Sequence, residues 1–321
     1  MKKHKICKIL LVILAIFLCV AFYELLGICV AYKKQPEVSN TTKKETKNGS
    51  WNECSENTER AVIIEKNPEA LLQRVRLIKN AKKEIILSTF AFQSDESGKL
   101  ILGALHDAAD RGVHIRLLVD GMESWIDMEG NPYFYGLSSH ENVEIKLYNK
   151  ANPLKPWKMM GRMHDKYLIA DGKRYILGGR NTYNYFLGDF PGHKNYDRDV
   201  LVVCDEPEKE NSVNQLLEYF ETIWEQEDSD YFHDNKKLAN RKSVKNAVLE
   251  LQNGYQKYFE ENKERICDTD YTDETFETEK IALVSNPIHT GSKEPVVWYQ
   301  LGELMKNAKN RVKIHLSLIH I

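Results

Sequence analysis

The run from Ile9 to Tyr32, ILLVILAIFLCVAFYELLGICVAY, constrains this chain more than any other feature. It carries one charge, Glu24, over more than the roughly 20 residues that cross the hydrocarbon core of a bilayer. Such a segment is spent on lipid and does not contribute to a soluble core. Lys2, Lys3, Lys5 and Lys8 precede it and Lys33 and Lys34 follow, so the positive-inside bias leaves its orientation open. A cleaved secretory signal would be apolar where Glu24 stands. Ile28 and Leu18, before the two candidate cysteines, are larger than the residue lipoprotein processing wants. The expectation is an uncleaved single-pass anchor, residues 1–34, in the cell membrane.

Gln35 to Arg60 is polar, almost without large apolar residues, and reads as a flexible tether over 35–60. Asn40 and Asn48 stand in N-x-S/T patterns that arise readily by chance in such a segment. The remainder of the 321 residues is long enough for about two globular units. Forty-five Lys and Arg against 47 Asp and Glu give a net charge of -2, which disfavours a protein built mainly to grip a nucleic-acid backbone. Cys7, Cys19 and Cys29 lie in the apolar run, and Cys54, Cys204 and Cys267 are scattered beyond it. They show neither zinc spacing nor a disulfide framework.

After the tether, short apolar runs alternate with helical patterns. Helices are expected at Glu69 to Ala81, Lys99 to Arg111 and Glu208 to about Trp224. Strands are expected at Glu84 to Ala91, Val113 to Val119, Val143 to Tyr148, Lys166 to Ala170, Tyr175 to Leu177 and Val200 to Val203. This alternation implies an α/β layered fold, with helices flanking a sheet, over residues 61–225. Residues 226–280 read as a charged helical connector, with a long helix at Ser243 to Arg265. The acidic run Asp268 to Glu279 reads as solvated, since nothing in it alternates with a core period.

Arg76 to Thr89, RLIKNAKKEIILST, recurs as ELMKNAKNRVKIHL from Glu303 to Leu316, with Leu77, Lys79, Asn80, Ala81 and Lys82 matching Leu304, Lys306, Asn307, Ala308 and Lys309. A short strand ending in Asn-Pro is expected upstream of each copy, at Asn67-Pro68 and Asn286-Pro287. The pattern implies an internal duplication, with residues 281–321 opening a second domain.

The densest cluster of chemistry-bearing residues is GRMHDKYLIADGKRYILGGRNTYNYF, Gly161 to Phe186. His164 and Lys166 are two apart, so on an extended segment both leave the same face and can converge on one anion. The imidazole can be a nucleophile or proton donor near neutral pH, and the ammonium is a compact positive charge. Gly178 and Gly179 let backbone approach a ligand, and the Asn181 amide can donate to a phosphate oxygen. Taken alone, Asp171-Gly172 is also a hairpin turn and the glycine pair a packing constraint. Together the six positions form a pattern that chance spacing seldom produces.

This pattern resembles the phospholipase D superfamily, whose H-x-K-x4-D motif is followed by G-G/S-x-N, and within it bacterial cardiolipin synthase-like proteins. Ala108 to Gly121 resembles the family's strand before the active site, and Tyr196 to Val202, YDRDVLV, its later R-D-x-D-V segment. The resemblance implies two similar α/β halves, each giving one motif to a shared site, and a two-step reaction that needs no metal and no cofactor. One motif histidine attacks the phosphodiester to form a phosphohistidine, the other protonates the leaving alcohol, and an incoming alcohol or water releases the phosphatidyl group. It implies His164 as nucleophile or general acid. Lys166 joins it in catalysis, and Lys166, Asn181 and Gly179 contact the phosphate. Asp171 belongs to the catalytic motif and holds it in place, while Asp197 and Asp199 lie behind it.

The sequence departs from that pattern in having no second H-x-K-x4-D. His4-Lys5 and His193-Lys194 lack the spacing, and Lys313-Ile314-His315 runs backwards. The expectation is a chain whose first half is complete and whose second half has only begun, with a symmetric homodimer as the alternative. Function then reads as membrane-anchored phosphatidyl transfer or phospholipid cleavage on a phosphatidylglycerol-like substrate, with no nucleic acid as partner. A nucleic-acid phosphodiesterase and a non-catalytic membrane-tethered phospholipid-binding protein are its rivals.

Overall fold

Successive residues of the apolar strands point to opposite faces of a sheet, and here both faces are covered. Ile85 and Leu87 pack in one apolar layer while Ile86 packs in the other, and Leu117 and Leu118 divide in the same way. The computed structural model describes residues 2–31, 33–49, 59–204, 206, 211–233, 235–279 and 281–312. Its strands are β1 (Glu59–Ile64), β2 (Glu84–Thr89), β3 (His114–Asp120), β4 (Val143–Tyr148), β5 (Tyr167–Ala170), β6 (Arg174–Gly178), β7 (Asp199–Cys204), β8 (Ser229–Tyr231) and β9 (Phe276–Glu277). They form one mixed sheet in the order β8-β4-β3-β2-β5-β6-β7-β1-β9. The neighbouring pairs β2–β3 and β3–β4 are parallel, and the other neighbouring pairs of the sheet are antiparallel. The α/β layered fold expected from the sequence is what forms.

The helices are α1 (Lys2–Ala31), α2 (Asn40–Asn48), α3 (Asn67–Asn80), α4 (Glu96–Asp110), α5 (Gly121–Asp127), α6 (Pro132–Ser138), α7 (Ser212–Trp224), α8 (Lys242–Glu261), α9 (Lys263–Cys267) and α10 (Val296–Asn307). Helices α3, α4, α6 and α8 bury Leu71, Leu105, Phe134 and Leu251 on one side of the sheet. Leu216, Phe220 and Ile223 of α7 cover the other. The helix expected from Glu208 begins at Ser212, capped by Asn211, whose side chain accepts from the Asn214 N–H, while 207–210 lie outside the described residues.

Three expectations are corrected. The segment 35–60 is not uniformly extended: Ser39 accepts from the Thr42 N–H and starts α2, which ends at Gly49 with φ of 70°. The acidic run is not solvated throughout. Tyr271 and Thr275 are buried, and the buried Arg76 guanidinium lies 3.9 Å from the Tyr271 ring centroid. Arg76 also pairs with Asp268 at 3.1 Å and Glu274 at 2.9 Å, and Phe276–Glu277 extends the sheet beside β1. The acidic side chains hold an arginine that the core could not otherwise bury. Finally, among the described residues no strand leads directly into Asn286-Pro287. Ile281, Leu283 and Ile288 instead lie as coil against the α7 layer. Helix α10 ends at Asn307 as α3 ends at Asn80, and both run into an extended alanine, Ala308 and Ala81. The strand expected after α10 falls largely on 313–321, outside the described residues.

The residues of α1 from Lys5 to Ala31 are long and apolar enough to cross a membrane. Their partly covered positions near the C-terminal end, Glu24, Gly27, Ile28 and Ala31, recur at helical spacing and define one face. That face turns to the domain: a Cβ on Gly27 would collide with Pro156, the Tyr23 hydroxyl donates to the Leu154 carbonyl at 3.0 Å, and Ser292 Oγ donates to the Ala31 carbonyl at 3.0 Å. The one charge in the apolar run thus lies on the face turned to the domain.

Candidate active site

The site forms where β2 and β3 end, β5 begins and β6 meets β7. Ser88 pairs with Tyr167, Tyr167 with Leu177, and Gly178 with Asp199, so these four strand ends lie side by side. His164 and Lys166 occupy the segment entering β5, and both line a cleft of about 370 Å³. His164 is exposed, its ring meeting Phe90 edge-on with centroids 4.7 Å apart. Lys166 is buried beneath it. Its ammonium donates to the His164 carbonyl at 2.6 Å and lies 5.2 Å from the Phe90 ring centroid. Burial pulls the Lys166 ammonium down to about 8, against the opposing pull of Asp165, Asp197 and Asp120.

Around this pair stand groups that the motif alone does not single out. Arg162 donates to both oxygens of the buried Asp120 carboxylate, at 2.6 Å from Nη2 to Oδ1 and 3.0 Å from Nε to Oδ2, and its guanidinium lies 5.1 Å from the Phe90 ring. Asp120 also accepts from the Met163 N–H at 3.0 Å, fixing the backbone just before His164. Burial raises the Asp165 carboxyl above its usual range, countered by the Tyr219 hydroxyl that donates to it at 2.7 Å. Lys293, after the repeat's Asn286-Pro287, reaches the same cleft. Arg162, Lys166 and Lys293 make it a positively charged, partly desolvated place, suited to an anion such as a phosphodiester.

The remaining residues named from the sequence stand elsewhere. Asp171, at φ of 54° in the β5–β6 turn, lies at the far end of β5 from Lys166. Its carboxylate accepts from the N–H groups of Lys82, Lys83 and Glu84, at 2.9, 2.7 and 3.0 Å, and so anchors the start of β2. It is not among the residues that line the cleft and holds the turn and the start of β2 in place. Asn181 is buried, with Oδ1 accepting from the Ala91 N–H at 3.2 Å. It braces the loop bearing Phe90 and is not aimed at the cleft. Gly178 and Gly179 are required by acidic neighbours: a Cβ would collide with the Asp199 carboxylate at the first and with that of Asp197 at the second. Gly178 lines the cleft, whereas Gly179 does not. Asp199 is buried against two arginines, Arg74 at 2.9 Å and Arg180 at 3.2 Å, and Arg180 also donates to the Asp197 carbonyl.

Phe90, Arg162 and Asp120 carry a weak sequence signal, for Arg162 stands two residues before His164 and Asp120 ends an apolar strand. Their meeting with His164 depends on strand order, which the local pattern does not encode.

Residues 74–224 match the family model described as cardiolipin synthase, PLD-like domain. This part of the chain is a phospholipase D-like domain. Among curated proteins, the chain is 30% identical over 212 residues to an uncharacterized protein of Helicobacter pylori strain J99, covering 61% of this chain and 39% of that protein. It is 29% identical over 171 residues to cardiolipin synthase C of Escherichia coli K12, covering 49% of this chain and 34% of that protein. The chain therefore spans well under half the length of these relatives. Among solved structures, NucT from Helicobacter pylori aligns with a TM-score of 0.43 and 17% identity, covering 54% of this chain and 99% of that one.

Proposed function

We propose that this chain belongs to a membrane-anchored enzyme that cleaves a phospholipid phosphodiester, or transfers its phosphatidyl group, through a phosphohistidine on His164. The observation that carries this reading is the exposed His164 imidazole above the buried Lys166 ammonium, in one cleft with Arg162 and Lys293. An imidazole nitrogen attacks phosphorus, the bond to the leaving alcohol breaks, and its electron pair goes to the departing oxygen, which takes up a proton. Water or a second alcohol then displaces the imidazole. Lys166, Arg162 and Lys293 stabilise charge on the phosphoryl oxygens in both steps. Asp171, Asn181, Gly179, Asp197 and Asp199 position the strands that present this pair.

Among the described residues His164 is the one imidazole lining the cleft, and a histidine bonded to phosphorus cannot also donate the proton. The acid is a second imidazole, supplied by a repeat of the motif or by another copy of this chain. The domain reading that goes with this makes 61–225 the first catalytic half and 281–321 the opening of the second. The test is His164→Ala in the assembled, membrane-embedded enzyme, followed by thin-layer analysis of labelled phosphatidylglycerol. Loss of about three orders of magnitude or more in rate, with an unchanged thermal midpoint, is expected. Retention of a tenth of the rate refutes the nucleophile assignment, and nicking of a plasmid with no lipid turnover moves the substrate to nucleic acid.

A further inference from the structure

We infer that the loop from Asn152 to Met160 is a membrane-seated rim, and that a second cleft beside it admits a phospholipid headgroup sideways from the bilayer to His164. The inference rests on the reading of α1 as a membrane-spanning helix.

Leu154 is 78% exposed, Met160 57% and Trp157 45%, in a loop that also carries the exposed Lys155. Three large apolar side chains facing water within one short loop are costly unless something covers them. The occupant is indicated by what already touches the loop. Helix α1 packs on it through Gly27 against Pro156 and through the Tyr23 hydroxyl on the Leu154 carbonyl. From Lys5 to Ala31 the helix has 27 residues, about 40 Å at 1.5 Å per residue, comparable with a bilayer including its headgroups. With Ala31 at the headgroup surface, Tyr23 lies about 12 Å down an upright helix. That is about 5 Å below the boundary between headgroups and acyl chains, within the depth to which amphipathic elements bury their apolar residues. A Trp at this level suits the boundary, since its ring has an apolar body and a polar N–H. Lys33, Lys34 and Lys155 are exposed around the rim and favour an anionic lipid surface.

The route inward follows from the same residues. A cleft of about 380 Å³ is lined by Gln35, just past the anchor, by Met160, and by Arg162, Asn286 and Lys293. The last three also line the cleft that holds His164 and Lys166. The two cavities thus share their cationic wall, and an anionic headgroup leaving the membrane at Met160 meets Arg162 and Lys293 before it reaches His164. The acyl chains stay in the bilayer while the phosphodiester is drawn in, so the lipid need not be extracted into water.

The test uses the full chain reconstituted in vesicles of phosphatidylglycerol and phosphatidylcholine with brominated acyl chains. The expected result is quenching of tryptophan emission that falls clearly when Trp157→Phe removes this one ring of the five in the chain. Equal quenching of the two proteins overturns the rim. So does a Trp157 protected from aqueous acrylamide yet untouched by bromine, which identifies a protein partner as the cover. Phosphatidylglycerol with a photoactivatable headgroup should label peptides containing Arg162 or Lys293, and labelling confined to α1 overturns the entry path. None of these readouts needs turnover. Resistance of the protein to carbonate extraction is measured alongside: retention without quenching sinks the rim alone, whereas release sinks the anchor as well.

Discussion

Lys166 sits where burial and neighbouring charge oppose one another, and burial prevails. A lysine brought to about 8 is charged at neutral pH but within reach of titration. On the proposed mechanism it is the positive form that holds the phosphate, so kcat/KM should hold below this value and fall as pH rises through it. Asp165 helps Lys166 keep its proton, and Asp165→Asn should move the alkaline limb to lower pH. A pH–rate profile of the two proteins decides it, and a limb that stays in place or moves upward detaches Lys166 from the reaction. At this scale His164 and Lys166 were legible in the sequence because their spacing is local. The distance of the Asp171 carboxylate from the cleft was not legible, because a motif written on a line does not show that β5 carries its ends apart. The partner of Asn181 was hidden for a like reason: the Ala91 N–H belongs to the segment that follows β2, some 90 residues earlier in the chain.

Among the elements, the join of β6 to β7 depends on charge more than on packing. Asp199 is fully buried between Arg74 and Arg180, with Arg180 also tied to the Ile64 and Glu65 carbonyls of the turn before α3. Asp199→Asn keeps the shape but leaves two buried guanidinium groups uncompensated, which should cost about 3 kcal/mol or more. This reads as a lowered unfolding midpoint in detergent. A stability within 1 kcal/mol of the parent would show the pair to be replaceable. Asp171→Ala removes the acceptor of three N–H groups at the start of β2 and should cost about 2–3 kcal/mol. Because it lies far from the cleft, the rate per folded molecule should change much less than in His164→Ala. Most strands were legible, because short β-rich apolar runs between helical patterns have few other uses. Helix α2, in contrast, has no apolar period and exists through its caps and the Ser39 N–H bonded to Glu294, a partner 255 residues away.

For the whole molecule, net charge concealed the organisation that matters. A total of -2 says nothing of a cleft that gathers Arg162, Lys166 and Lys293, nor of an acidic run used to hold Arg76. Both depend on segments far apart in sequence, and no local pattern reports that Lys293 faces His164. The cleft's composition leads to a prediction about the reaction itself. With one imidazole at hand, the described residues can supply a nucleophile and an anion cradle, but no second imidazole to protonate the alkoxide of a natural phospholipid. An activated diester such as p-nitrophenyl phosphatidate leaves as a stabilised anion and needs no acid. The 321-residue chain in vesicles, without added protein, should therefore release a burst of nitrophenolate of about one equivalent per site and retain the phosphatidyl group on His164, detectable as an acid-labile adduct whose phosphorus–nitrogen bond survives base. Under the same conditions phosphatidylglycerol should remain intact. Cleavage of both substrates with similar rates by a monomer would place a second acid within this chain and remove the need for a partner motif. Cleavage of both by a dimer, abolished when half the subunits carry His164→Ala, would assign that acid to His164 of the other copy. No burst with the activated ester, from a protein that retains its fold, would end the phosphohistidine proposal.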